Sequence, residues 1–117
     1  MGVAVTRPAI VPSRGEVYLV ELDPTRGSEI RKTRPCLVVS PDELNHPLRT
    51  VIVAPMTTAG HAYPFRPTCH FSGKAGRVAL DQLRTVDRER LRKRLGVLTA
   101  GNQRAVFNVL LEMFEFE

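Results

Sequence analysis

The sequence has no tryptophan, 6% aromatic residues and two cysteines among 117 positions. Cys36 and Cys69 sit in apolar or β-like segments, without C-x-x-C spacing and without histidines at zinc-ligand spacing. That argues against a zinc ribbon and fits buried, reduced thiols, a disulfide between the two being the unsupported alternative. Long apolar runs are missing too. CLVV and VIVAPM are far shorter than the roughly 20 residues that cross a bilayer. The N-terminal MGVAVTRPAIVPSRG is broken by Arg7 and two prolines, so it lacks the apolar core of a signal peptide. A cytoplasmic protein with no membrane partner is expected. Repeats, low-complexity tracts and linkers are absent, so residues 13–117 read as a single domain behind a loose arm, residues 1–12.

Acids are the scarcer charge, 12 against 17 Lys and Arg, giving a formal net charge of +5 and a pI near 9.9. The basic residues cluster. Arg26, Arg31, Lys32 and Arg34 fall in one stretch, and Arg84, Arg88, Arg90, Arg92, Lys93 and Arg94 in a second, while the chain ends acidic in EMFEFE. Local basicity therefore exceeds the net figure, and a polyanion, nucleic acid first, is the natural partner. A solvated charged face is the plainer alternative.

The pattern of elements is mainly β with short helices (α+β). Strands are expected at 16–22, 35–39, 50–54 (ended by Pro55), 66–71 and 77–80, the last interrupted by Asp81 and Gln82 and continued by 83–86. Ser40-Pro41 reads as the N-cap and first position of a helical turn that Pro47 limits. Ser72 to Gly76 reads as a hairpin turn. Residues 87–98 read as a short helical turn followed by a strand. From Thr99 or Asn102 a helix buries Val106, Phe107, Leu110, Leu111 and Phe114, which recur at i, i+3, i+4. A small, strongly curved sheet or barrel with a C-terminal helix accounts for this order.

Gly27 to Ser40, GSEIRKTRPCLVVS, carries the most chemistry. Pro35 fixes its own φ and pushes Arg34 into an extended conformation, and Cys36 to Val39 form a strand without a polar interruption, buried on both faces. An arginine held at the mouth of a core strand is placed to grip an anion such as a phosphate. The alternative is a structural arginine paired with Glu29 or Asp23.

The run RGEVYLVELDPTRGSEIRKTRPCLVVSP, followed by VIVAPMTT, YPFRPTCHFSG and GRVALDQLRTVDRERLRKRLGVL, resembles the MazF/PemK family of toxin endoribonucleases over roughly residues 14–114. The resemblance implies an SH3-like, partly open barrel that forms a homodimer. It implies cleavage of single-stranded RNA without a metal or other cofactor, by attack of the ribose 2′-OH to leave 2′,3′-cyclic phosphate and 5′-OH ends. It implies a cognate antitoxin whose flexible, acidic tail lies over the RNA groove. On the matching positions, Arg34 stabilises charge on the phosphoryl oxygens, Thr57 hydrogen-bonds the scissile phosphate, and Glu29 accepts the 2′-OH proton or orients Arg34. Asp81 and Gln82 match an acid-amide pair with a supporting or catalytic role, or else only bond the sheet end. Two departures weaken the match: Ser28, itself a candidate supporting or catalytic residue, stands where some members have a histidine, and Ala79 where some have an arginine. Arg26, Arg31, Lys32, Thr58, His61, Tyr63 and Arg84 are the RNA-contact candidates. His61 and His70 are the histidines that would have to converge in a two-histidine nuclease; otherwise each histidine is structural or solvated. Two other functions fit the fold. A gyrase-poisoning toxin of the CcdB type would want an exposed aromatic terminus unlike FEFE, and a catalytically silent nucleic-acid-binding barrel would bind without cleaving.

Overall fold

The computed structural model describes residues 10–58 and 61–117, so most of the N-terminal arm and the Ala59-Gly60 stretch lie outside it. Seven strands form one curled antiparallel sheet: β1 Glu16–Glu21, β2 Thr33–Val38, β3 Thr50–Thr57, β4 Thr68–Phe71, β5 Lys74–Val78, β6 Arg84–Asp87 and β7 Leu91–Val97. A short helix α1, Asp42–Asn45, follows β2, and α2, Ala100–Met113, ends the domain. The order across the sheet is β4-β5-β3-β2-β1-β7, with β6 also paired to β3. This is the expected mainly-β, partly open barrel with a C-terminal helix.

The continuous apolar strand run works as a two-sided core. Leu37 and Val39 pack with Val17, Ala54, Met56, Val78, Leu80, Leu98 and Val106, while Cys36 and Val38 pack on the other face with Tyr18, Val20, Leu22, Val51, Val53 and Val86. Strand alternation sends successive residues of β2 into different clusters, so no polar side chain fits in the run. Within the segment expected as a loose arm, Ile10 packs on the second cluster and Pro12 is fully buried.

β3 is longer than the sequence suggests. Pro55 does not end it. The strand runs through to Thr57 because it changes neighbours there: it pairs with β2 at Val53 to Pro55 and with β5 at Met56 and Thr57. β5 and β6 lie along the same edge of β3, separated by the 3₁₀ turn Leu80–Gln82, which is the interruption expected at Asp81 and Gln82.

Other boundaries shift for identifiable reasons. The hairpin after β4 turns in two residues, Ser72 and Gly73, both at positive φ (52° and 76°), and Lys74 already pairs with Phe71. Positive φ at both central positions marks the tight turn whose twist matches its strands. Ser40 does not cap α1. Pro41 holds the N-cap position, and the buried Ser40 hydroxyl meets Asn45 Oδ1 at 2.5 Å and accepts from Ile52 N at 3.0 Å. Asp87 caps the 3₁₀ turn Arg88–Arg90 through Glu89 N, as a turn before β7 requires. Thr99 caps α2 through Asn102 N at 3.2 Å. The inner face of α2 is Val106 with Phe107, Val109, Leu110 and Met113; Leu111 and Phe114 point outward at 72% and 68% exposure, contrary to the sequence expectation. The helix rotates by this much because its apolar residues extend around more than one stripe, and contact with β4 selects the stripe.

The two ends of the curled sheet come near each other at one point. A Cβ built on Gly96 of β7 would stand 3.1 Å from the Phe71 ring at the end of β4, so the two edge strands approach each other through an aromatic side chain.

Candidate active-site cleft

Where β2 and β3 stop pairing, the sheet opens. The last paired positions are Cys36 and Pro55. Pro35 and Pro55 have no N–H to donate, so no ladder continues outward between these strands. The cleft that results has a volume of about 350 Å³. Arg34, Pro35, Thr57, Thr58 and Lys74 line it, with Met56, Cys69 and Phe71 among the apolar residues. The sequence places Arg34 and Thr57 at two separate proline-marked strand ends, and the fold brings those ends together.

Arg34 is half-buried, and its Nε donates to Arg31 O at 3.2 Å. The ion pairs among the described residues are Arg49–Glu89, Arg66–Asp81, Arg92–Glu21 and Arg94–Glu16. None involves Arg34. The two acids that would have made it structural are used elsewhere: Glu29 Oε1 accepts from Arg26 N at 2.5 Å, and Asp23 accepts from Thr25 and from Lys32 N. A half-buried guanidinium with no carboxylate partner among the described residues, at the rim of a cleft, is chemically suited to an anion.

Glu29 does not line this cleft. It lies at a second cavity of about 520 Å³ with Ser28, Asp81, Gln82, Arg84 and the apolar Leu22, Ile30, Pro55 and Leu83. Gln82 holds one wall of it, accepting from Ile30 N at 2.8 Å and donating to Ser28 O at 3.4 Å. Asp81 is gripped by Arg66 through two 2.8 Å bonds, and this guanidinium keeps its carboxyl below the usual range. Arg84 donates to Leu22 O at 2.6 Å. Cys36, in the core cluster beneath the sheet, has its thiol pushed up to about 12 by burial, against a smaller opposing effect of Arg84.

Residues 13–114 match the family model of the PemK-like, MazF-like toxin of type II toxin–antitoxin systems. The chain belongs to this family. It is 41% identical over 82 residues to Endoribonuclease PemK of Escherichia coli, an alignment that covers 63% of this chain and 59% of that protein. The chain thus spans about three fifths of the length of this curated relative. Among solved structures it resembles MazF from Deinococcus radiodurans, with a TM-score of 0.77 and 29% identity over 89% of this chain and 96% of that one. A mycobacterial endoribonuclease in complex with its cognate antitoxin shares the fold at a TM-score of 0.75 and 23% identity, over 91% of this chain and 99% of that one.

In this member of the family the second basic stretch differs from the sequence expectation. Arg88 donates to the Asn45 and His46 carbonyls, Arg90 to the Glu21 and Asp23 carbonyls, Arg92 pairs with Glu21 and Arg94 with Glu16. These side chains tie β7 and its preceding turn to β1 and α1, and as phosphate contacts they are a poor assignment. The cause is register: β1 and β7 pair antiparallel, which sets the acids of β1 beside the arginines of β7. The exposed Arg26, Arg31 and Lys32 remain on the β1–β2 loop. His61 and Tyr63 meet edge to face at 5.9 Å, whereas His70 lies on β4 with its carbonyl bonded to Asn102.

Two cleft or rim residues carried no sequence signal. Lys74 enters the cleft because the turn before it is only two residues long. Arg66 reaches Asp81 from 15 positions away, across a loop whose path the sequence does not fix.

Proposed function

We propose that the chain is the toxin of a type II toxin–antitoxin pair that acts in the cytoplasm as a metal-independent, sequence-specific endoribonuclease on single-stranded RNA, inhibiting translation and growth. The observation that carries this reading is Arg34, without a carboxylate partner among the described residues, at the cleft that Thr57 also lines. Arg34 donates to the non-bridging oxygens of the scissile phosphate as charge grows on them, and the Thr57 hydroxyl adds a further hydrogen bond. Such donors count most where their geometry is fixed beforehand, and Pro35 and the β-ladder with β1 fix it for Arg34.

The ribose 2′-OH attacks the neighbouring phosphorus, the bond to the 5′ oxygen breaks, and a 2′,3′-cyclic phosphate remains. The proton of the 2′-OH goes to a carboxylate, and Glu29 is the acid of this role. With Glu29 at the second cavity, this role requires the RNA to lie across the Pro35–Pro55 divide with the attacking ribose toward Glu29. The departing 5′ oxygen takes a proton from the Arg34 guanidinium or from water. Asp81, Gln82 and Ser28 are supporting residues along the wall of the second cavity.

The partners follow from the same reading. Arg26, Arg31 and Lys32 contact RNA phosphates, Thr58 and Arg84 line its path, and His61 and Tyr63 lie beside unpaired bases. The family's antitoxin, through an acidic tail, competes for this basic surface. A second copy of the chain covers exposed apolar surface such as Val97 and Leu111, giving a homodimer. No described helix is long and apolar enough to cross a membrane. Incubating purified wild-type protein and the Arg34→Ala variant with a long single-stranded RNA tests the reading: discrete fragments are expected from the first and intact RNA from the second.

A further inference from the structure

The loop between β3 and β4 ends in contacts that the proposed chemistry does not use. Arg66 donates from Nε and Nη2 to the two oxygens of Asp81, each at 2.8 Å, a two-point grip that a guanidinium can make and an ammonium cannot. The guanidinium carbon lies 5.0 Å from the centroid of the Tyr63 ring. Tyr63 meets His61 at 5.9 Å with the rings 77° apart. Two backbone bonds dock the same loop on the β5 end: Val78 N donates to Pro67 O at 3.0 Å and Leu80 N to Phe65 O at 3.3 Å.

Exposure runs outward along this series. The Arg66 side chain is 16% exposed, that of Asp81 is 43%, and Tyr63 is 52%. The cation is thus covered while the ring is displayed. A tyrosine on an unsupported loop would rotate freely, whereas here a fixed cation takes one side of the ring and leaves the rest open. A flat, exposed aromatic surface whose back is held by a cation suits a splayed, unpaired base.

We propose that Arg66 is a positioning residue that holds Tyr63 as a stacking platform for an unpaired nucleobase at the rim of the second cavity, and that Asp81 serves Arg66 rather than the proton transfers. This rests on the ribonuclease reading for its substrate. It differs in what it asks of Asp81. A carboxylate with both oxygens on one guanidinium is a poor proton acceptor, and the lowered proton affinity of Asp81 agrees with that.

The test uses the full chain and short single-stranded DNA oligonucleotides, which lack the attacking 2′-OH, carrying 2-aminopurine at one position in turn. At one position binding should quench the fluorescence, and Tyr63→Leu should abolish the quenching and weaken binding by roughly five- to a hundred-fold. Tyr63→Phe should keep both. Arg66→Ala, Arg66→Lys and Asp81→Asn should each reproduce part of the Tyr63→Leu loss, and none should add to it in a double variant. In RNA cleavage, Asp81→Asn should raise KM and shift site preference while leaving the pH dependence of kcat unchanged. Wild-type binding by Tyr63→Leu would overturn the platform. A changed pH profile in Asp81→Asn, with Arg66→Ala behaving as wild type, would overturn the assignment of Asp81. Quenching without any RNA cleavage would sink the ribonuclease reading and leave the platform standing. Tyr63 is an exposed surface residue, so its variants remain informative even if Arg66→Ala fails to fold.

Discussion

Arg34 and Thr57 stand opposite one another just beyond the last paired residues of β2 and β3. The register Leu37 to Ala54 and Cys36 to Pro55, carried two residues further, sets Arg34 across from Thr57, and both line one cleft. Neither proline can donate to a ladder there, so the strands part and the residues flank a gap instead of a hydrogen-bonded pair. Replacing Arg34 by Ala should lower RNA cleavage by about 10²- to 10³-fold, the usual cost of one lost oxyanion donor. Thermal melting should move little, since among the described residues the side chain makes one hydrogen bond and no ion pair. Arg34→Lys should recover only part of the activity because it lacks the planar fork.

Gln82 fixes the β1–β2 loop through Ile30 N. Its replacement by Leu removes that acceptor, and the Ile30 amide loses a partner at the cavity wall. Amide hydrogen exchange at Ile30 should speed up markedly while the Leu37 amide, in the core strand, keeps its protection. Equal acceleration at both would mean that Gln82 supports the whole sheet and not the loop.

Gly96 sits at φ 153° with the Phe71 ring where a Cβ would go. Gly96→Ala should destabilise the domain by about 1–3 kcal/mol, from an uncomfortable backbone angle and an overpacked contact. Combining it with Phe71→Leu should relieve the steric part, so the double variant should melt higher than the sum of the two losses predicts.

Cys36 and Tyr18 both have pKa values raised to about 12, burial being the larger cause in each and Glu16 adding to it for Tyr18. A raised value means that the folded state favours the protonated form. The stabilisation is complete below the unfolded value, near 9 for Cys36 and 10 for Tyr18, and is lost as pH climbs toward 12. The urea midpoint should therefore hold steady to about pH 8.5 and fall above it. Iodoacetamide at pH 8 should leave Cys36 unmodified in the folded protein and label it once urea unfolds the chain.

The parts of this architecture legible in the sequence are those with a local cause. Cys36 to Val39 announces a two-faced core strand because every residue is apolar, and Thr99 with the Val106, Phe107 and Leu110 spacing announces the last helix. Arg34 is legible because Pro35 constrains it within one peptide unit. What depends on register is not legible. The arginines of β7 look like a polyanion site until β1 is laid beside them, and Glu21 and Glu16 then account for Arg92 and Arg94. Pro55 reads as a strand end because the change of partner that tolerates it is a property of three strands at once. Glu29 and Arg34 are five residues apart yet line different cavities, a separation set by the loop path and not by composition.

The most direct test of the central claim, that the Arg34–Thr57 cleft holds a phosphate attacked by its own 2′-OH, is end-group analysis. A labelled RNA oligonucleotide is incubated with the wild-type chain in excess EDTA, beside the same strand carrying a single 2′-deoxy substitution at the cleaved position. The account predicts a 2′,3′-cyclic phosphate and a 5′-OH from the first and no cleavage at that position of the second. Cleavage of the deoxy strand, a 5′-phosphate product, or loss of activity in EDTA would contradict it.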